Sequence, residues 1–196
     1  ERKTGVSGTY AQTATTSNDI ATYSDGGLSP STTYYYRVSA FNNANGDSDY
    51  SNEASATTQS PLPSNNLALN KPATADSAQT SKGNTANKGN DGNSSTRWSA
   101  KDDRQNHWWK VDLRASYTLT RTKVQFQFAR NYRYKIEVST DNITWITVAD
   151  RTATTSTAQI REDSFSPTLG RYVRITYTGL PLLTWASHYE FEVYGN

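Results

Sequence analysis

Between Trp108 and Gly195 the chain carries a series of short runs in which apolar and polar residues alternate. They are WWKVDL (108–113), RTKVQFQFA (121–129), YRYKIEVSTD (132–141), TWITVAD (144–150), RYVRITYTG (171–179) and YEFEVYG (189–195). Alternation with period two puts one set of side chains on each face of a pleated strand. The runs are rich in Val, Ile, Tyr and Phe, and turn-forming residues separate them, which is the pattern of a sandwich or barrel. No helix periodicity competes with it, and no internal repeat is present. The expected fold class is all-β.

A break in composition at QSPLPSNN (59–66) predicts a short, stiff linker over 59–65. It divides the chain into 1–58 and 66–196. In the first segment TTYYYRVSAF (32–41) alternates, with Tyr34, Tyr36, Val38 and Ala40 on one face. NANGDS (43–48) reads as a turn and YSNEASATT (50–58) as the next strand. LSPSTTY (28–34) matches a tyrosine corner, in which a Tyr hydroxyl ties back to nearby backbone. Through LSPSTTYYYRVSAFN and YSNEASATT this segment resembles a fibronectin type III domain. A complete sandwich of that kind needs about 100 residues. The segment is therefore expected to be an incomplete immunoglobulin-like sandwich, truncated before Glu1. The resemblance implies a spacer or adhesion module.

Charge and residue usage exclude several functions. Twenty basic and 18 acidic residues give a net charge of +2, too balanced for a nucleic-acid surface. No apolar run reaches the length of a membrane span. No cysteine is present, so neither a disulfide scaffold nor a thiol nucleophile is available. There is no G-x-S-x-G nucleophile elbow and no His/Cys cluster for zinc. The carboxylates are scattered along strand faces rather than paired as glycoside hydrolysis requires. No enzyme is expected. Glu1 opens no signal peptide, so the chain reads as an internal fragment or a mature product.

The loop KGNDGNSST (88–96) offers a sharply turning backbone, Asp91, the Asn93 carbonyl and the Thr96 hydroxyl. A hard cation such as calcium takes six to eight oxygens of these kinds. With a single carboxylate in the loop, a second has to come from elsewhere, or the loop is a plain turn that Asp91 caps. Of the five tryptophans, Trp109 shares a face with Val111 and Leu113 and reads as core, and Trp145 reads as core too, a hairpin ring packed on the sheet. Trp108 faces the other way from Trp109. Trp185 lies in GLPLLTWAS (179–187), an irregular apolar loop that no strand pattern buries.

NLALNKPA, DGNSSTRWSA, HWWKVDL, YKIEVSTDNITW, GRYVRITYTG and WASHYEFEVYG occur in the order and spacing of a discoidin domain. Together they cover 66–196. The segment resembles the coagulation factor 5/8 type C fold and its bacterial form, the family 32 carbohydrate-binding module. The resemblance implies a jelly-roll β-sandwich. It implies a structural calcium on Asp91, Thr96 and Glu190 with the carbonyls of Lys88, Asn93 and Ala186. It implies that Trp98 is buried in the core and that Trp185 stacks on sugar. Neighbouring loops would supply a polar rim of Gln79, Arg97, Lys101, Asp102, Arg104, Gln127, Arg130 and Tyr132. Asp102 and Asp103 suit a cationic glycan such as chitosan, whereas Gln79, Gln105 and Gln127 suit a neutral one.

The expected function is a non-catalytic module that tethers a secreted bacterial glycoside hydrolase to polysaccharide. Its other partner would be the catalytic domain of the same polypeptide. Adhesion to a cell-surface glycan or protein is the rival reading. Membrane phospholipid is a third; it calls for apolar spikes on several loops, and LPLL (180–183) alone qualifies.

Overall fold

The structure, a computed structural model, describes residues 1–42, 46–59 and 65–196. The first three residues of the turn expected at 43–48, and most of the linker expected at 59–65, lie outside the described residues. The chain forms two compact units, Glu1–Leu62 and Pro63–Asn196.

The first unit has a three-stranded antiparallel sheet of β1 (Arg2–Thr4), β2 (Thr33–Tyr36) and β5 (Ala54–Thr57), with β2 central. A separate ladder joins β3 (Phe41–Asn42) to β4 (Gly46–Asp47). Tyr34 is buried, and its hydroxyl accepts a hydrogen bond from the Ser29 amide at 3.0 Å. The strand expected over 32–41 is interrupted. Pairing stops at Tyr36, and Val38, expected on the inner face, is 69% exposed.

The second unit contains β6 (Ala73–Ala75), β7 (Trp98–Ser99), β8 (Trp108–Phe126), β9 (Arg133–Ser139), β10 (Ile146–Asp150), β11 (Ile160–Gly179) and β12 (Ser187–Gly195). Hydrogen bonding runs in the order β10-β9-β11-β8-β12-β7, and β6 pairs with β8 off this path. The run 108–113 and residues 121–126 of the run 121–129, which read as separate strands, lie on one 19-residue strand, β8. β11 is equally long, 20 residues, and pairs antiparallel with β8 from Ile160↔Gln125 to Thr176↔Trp108. Near its start β8 pairs with β6, and near its end with β12. The two strands thus pass from one layer to the other. Register shifts between Ser164 and Thr168 and between Gly170 and Tyr172, and a left-handed Arg114 at φ 73°, let them do so.

Between the layers lies an aromatic and aliphatic core of Trp98, Trp109, Phe126, Tyr134, Ile136, Ile175, Tyr177 and Phe191. Buried His188 packs among these rings and donates or accepts at Tyr177 Oη, 2.8 Å away. Its ring faces Gly89 so closely that a Cβ there would sit 2.5 Å from Nε2. Burial pushes His188 down to about 3, so the ring is neutral. Trp145, expected in the core, is half-buried instead. The Arg174 guanidinium lies 4.1 Å from its ring centroid. Arg174 neighbours inward Val173 and Ile175 on β11, so the pair covers the outer face of the sheet.

The start and end of the unit meet. The Leu67 amide donates to the Val193 carbonyl at 2.8 Å, and the Val193 amide to Asn66 Oδ1 at 3.1 Å. Both lie about 20 Å along β12 from its first residue.

Candidate functional site

Four loops gather at the end of the second unit where β12 begins. In the β12–β7 ladder Ser187 faces Ser99 and His188 faces Trp98, and the Ala100 amide donates to the Ala186 carbonyl at 2.9 Å. The next position on each side is Lys101 and Trp185. Segment 76–84 joins through Gln79, whose amide donates to the Ser99 carbonyl at 2.9 Å. Segment 127–132 joins through Gln127, whose Oε1 accepts from Ser187 Oγ at 2.8 Å. Trp185 is 40% exposed in this setting, while Ala186, Ser187 and His188 after it are buried.

A buried histidine fastens the 100–107 loop. The His107 side chain is 2% exposed; Nδ1 lies 2.7 Å from Asp76 Oδ2 and Nε2 lies 2.8 Å from Asp102 Oδ1. Asp76 Oδ1 also accepts from the Trp108 amide, and Asp102 Oδ1 accepts from Arg104 Nε at 2.9 Å. The Arg104 hydrogen bond first, then that of His107, holds the Asp102 carboxyl far below the usual carboxylate range.

Segment 180–186 carries an apolar tip. Thr184 donates twice to the Pro181 carbonyl, from its amide at 3.2 Å and from Oγ1 at 2.6 Å. The turn lifts Leu182 and Leu183 outward, 85% and 84% exposed. Leu183 takes a left-handed φ of 56°, a conformation costing a residue of its kind about 1 kcal/mol or more. Arg130 donates to the Leu182 carbonyl at 3.3 Å and places its guanidinium 5.1 Å from the ring of Phe128, itself exposed.

A second cluster lies further along β12. The 88–96 loop folds against Glu190, and the Asn93 amide donates to both Asp91 Oδ1 (3.1 Å) and Glu190 Oε1 (3.0 Å). Thr96 Oγ1 donates to Asp91, and the Asn93 carbonyl accepts from Thr96. Glu190 Oε2 is buried without a partner. Burial, together with the neighbouring Asp91 carboxylate, pushes Glu190 up to about 7. Asp91 moves down although burial opposes it, because Thr96 and Lys88 hydrogen-bond its carboxylate. A shift in the ladder between His188 and Glu190 leaves Tyr189 without a cross-strand partner and turns Glu190 toward the loop.

With this geometry in place, comparison with known proteins is decisive. A family profile described as NedA-like, galactose-binding domain matches residues 88–175. No curated protein matches the chain. Chitosan-binding module 1, derived from a chitosanase/glucanase of Paenibacillus sp. IK-5, is 36% identical. The match covers 67% of this chain and 99% of that one, with a TM-score of 0.62. The chain belongs to the F5/F8 type C family, of the carbohydrate-binding module family 32 type. Chitosan-binding module 2 of the same Paenibacillus enzyme, crystallised with chitotriose, is 32% identical over 66% of this chain and 100% of its own, with a TM-score of 0.59. CpGH89CBM32-6 of Clostridium perfringens shares the fold at 19% identity, over 67% of this chain and 100% of its own, with a TM-score of 0.59. The F5/F8 type C unit is a non-catalytic binding module.

In this F5/F8 type C unit the residues singled out from sequence fall in different places. Lys101, Asp102, Arg104, Arg130 and Trp185 stand on the loops at the β12 start. Gln79 lies there too, but its Oε1 is taken by Asn84 at 2.9 Å, so it shapes its own turn. Gln127 faces inward to Ser187. Arg97 is half-buried between the 88–96 loop and Trp98, with its Nε enclosed.

Two assignments are corrected. Tyr132 is fully buried and stacked on Phe126 at 4.6 Å, so its ring is core and offers no face to a ligand. Ala186 cannot join the 88–96 cluster. It lies four residues, about 13 Å, before Glu190 along an extended chain, and its carbonyl already accepts from Ala100. Asp76 and His107 were not foreseen. Their signal is NHWWK, where a histidine opens a strand beside a loop with two acids, but contact with Asp76 depends on the fold.

Proposed function

We propose that residues 66–196 are a carbohydrate-binding module that holds a secreted bacterial glycan-degrading enzyme on its polysaccharide. The observation that carries this reading is Trp185. It is a half-open indole at the meeting point of four loops, which also carry Lys101 and Arg130, where the rest of the strand end is buried. Sugars present apolar C–H faces with a rim of hydroxyls, and a ring flanked by polar side chains answers both. The Paenibacillus relatives support the reading, since both are named as chitosan-binding and derive from a chitosanase/glucanase. Oligosaccharides of amino sugars are therefore the first ligands to test. Tethering raises the local concentration of substrate without any catalytic group. Affinity electrophoresis in a panel of polysaccharide gels tests this: retardation by at least one glycan is expected, and migration unchanged in all would overturn it.

A structural calcium is part of the same reading. Among the described residues no group of three or more His, Asp or Glu side chains is arranged to hold a metal, so an ion has to draw on two carboxylates plus neutral oxygens. Asp91, Glu190, Thr96 Oγ1 and the carbonyls of Lys88 and Asn93 fit a hard cation. The unpartnered Glu190 Oε2 supports the fit. The ion would supply positive charge to a pair of adjacent carboxylates and bind the loop to the last strand. Residues 1–58 complete the proposal as a partial fibronectin type III spacer, followed by a linker over 59–65. The Tyr34–Ser29 hydrogen bond supports that part.

A further inference from the structure

We infer that the loop end of the module selects N-acetylated amino-sugar chains over their free-amine forms. The inference rests on the glycan-binding reading above and concerns the charge of the ligand. A protonated sugar amine needs a carboxylate with oxygen lone pairs to spare. Segments 76–84, 100–107, 127–132 and 180–186 carry three acidic residues, Asp76, Asp102 and Asp103, against four basic ones, Lys82, Lys101, Arg104 and Arg130. Asp76 is engaged on both oxygens, by His107 and by the Trp108 amide. Asp102 Oδ1 holds His107, the Arg104 amide and Arg104 Nε together. The ion pair with Arg104 offsets the charge of Asp102, whose Oδ2 stays open, and Asp103 stands exposed with no such pair. The internal pairs cancel, and the cations left over include Lys101, next to Trp185, and Arg130, above Phe128. A polycation approaching this end meets no attractive field.

The apolar side of the site points the same way. Leu182 and Leu183 are held out by the Thr184 and Arg130 hydrogen bonds, two and three residues before Trp185. Left-handed geometry at Leu183 and exposure of two leucines are both unfavourable, and the loop is nevertheless tied into that shape. An acetamido group offers a methyl to bury against such a tip and an uncharged amide beside it. A free ammonium offers neither and is repelled by Arg130.

Calorimetric titration of the 196-residue chain with tri-N-acetylchitotriose and with chitotriose, at a pH where the free amines are charged, tests the inference. The acetylated trimer is expected to bind at least about tenfold tighter. Leu182→Ser with Leu183→Gly, the second also releasing the left-handed strain, should bring the two ligands toward equality. Asp103→Asn should leave the acetylated trimer's affinity unchanged. Chitotriose binding as tightly as the acetylated trimer, or tighter, overturns the inference while leaving glycan binding intact. Silence toward both trimers and every polysaccharide overturns the reading on which it rests. Unchanged preference in the leucine variant removes the tip from the site. Binding to phosphatidylcholine–phosphatidylserine vesicles that the leucine variant loses, without any acetyl preference, assigns the tip to a lipid surface and overturns it as well.

Discussion

Asn93 and Glu190, 97 residues apart, share a single 3.0 Å hydrogen bond that closes the 88–96 loop onto the last strand. The bond satisfies one oxygen of Glu190 and leaves the other buried and alone. What completes this contact decides how the unit responds to pH and to calcium.

Without metal, the unit should lose stability as pH rises. Glu190 keeps its proton to about 7 in the folded state, against 4.5 as its ordinary value. A folded value above the unfolded one gives stability that is present on the acidic side and lost as pH rises through the folded value. The loss between pH 4.5 and about 7 is bounded by about 3 kcal/mol. Asp91 works the other way, and its contribution is lost as pH falls below 3.8. In EDTA the melting temperature of residues 63–196 should therefore fall between pH 5 and pH 8, and excess calcium should restore it. Glu190→Gln should remove both effects. A flat pH profile with no calcium response would sink the metal assignment.

Trp185→Ala should abolish retardation in glycan affinity electrophoresis and leave the melting temperature nearly unchanged. A half-exposed ring on a loop contributes little to the core, whereas an aromatic contact is worth about 1 kcal/mol or more to a ligand. Retained retardation would move the binding surface elsewhere.

Gly89→Ala should destabilise the unit by about 1–3 kcal/mol, the usual range for overpacking a filled core. The new methyl would meet His188 Nε2 at 2.5 Å and Trp109 Nε1 at 3.1 Å. Neither ring has room to withdraw, since each packs against other buried rings. Urea denaturation checks the loss; a neutral effect would mean that the loop shifts freely over His188.

Arg161→Ala should cost about 3 kcal/mol, because buried carbonyls would lose their donors. The buried guanidinium donates to the carbonyls of Tyr132 (2.7 Å), Arg130 (3.1 Å), Ser156 and, through Nε, Ala158 (3.2 Å). It therefore holds segment 128–132 in place. Hydrogen exchange at 128–132 should rise in the variant, and protection equal to wild type would argue against the clamp.

Alternation made the inner face of the second unit legible, including Trp109, Ile136 and Ile175, while the burial of Trp98 came from the family resemblance. It could not show that 108–113 and 121–126 are one strand. Pairing with β11 carries both through residues with no alternation of their own. Trp145 was misplaced because a hairpin ring can close over either face, and Arg174 drew it outward. Tyr132 carries a loop residue's sequence context but a core residue's position. Ala186 failed on distance, which spacing along a strand can decide, whereas the His107–Asp76 contact joins segments 31 residues apart and is invisible to spacing.

The meeting of Leu67 with Val193 has a consequence for how such a unit travels between proteins. Entry and exit stand side by side, at the far end of β12 from Trp185. A host chain can therefore be cut at a surface turn and rejoined through this unit with little separation of its cut ends. The loops around Trp185 would still lie at the end away from the host. The module behaves as a cassette, carried equally well at a terminus or within another fold.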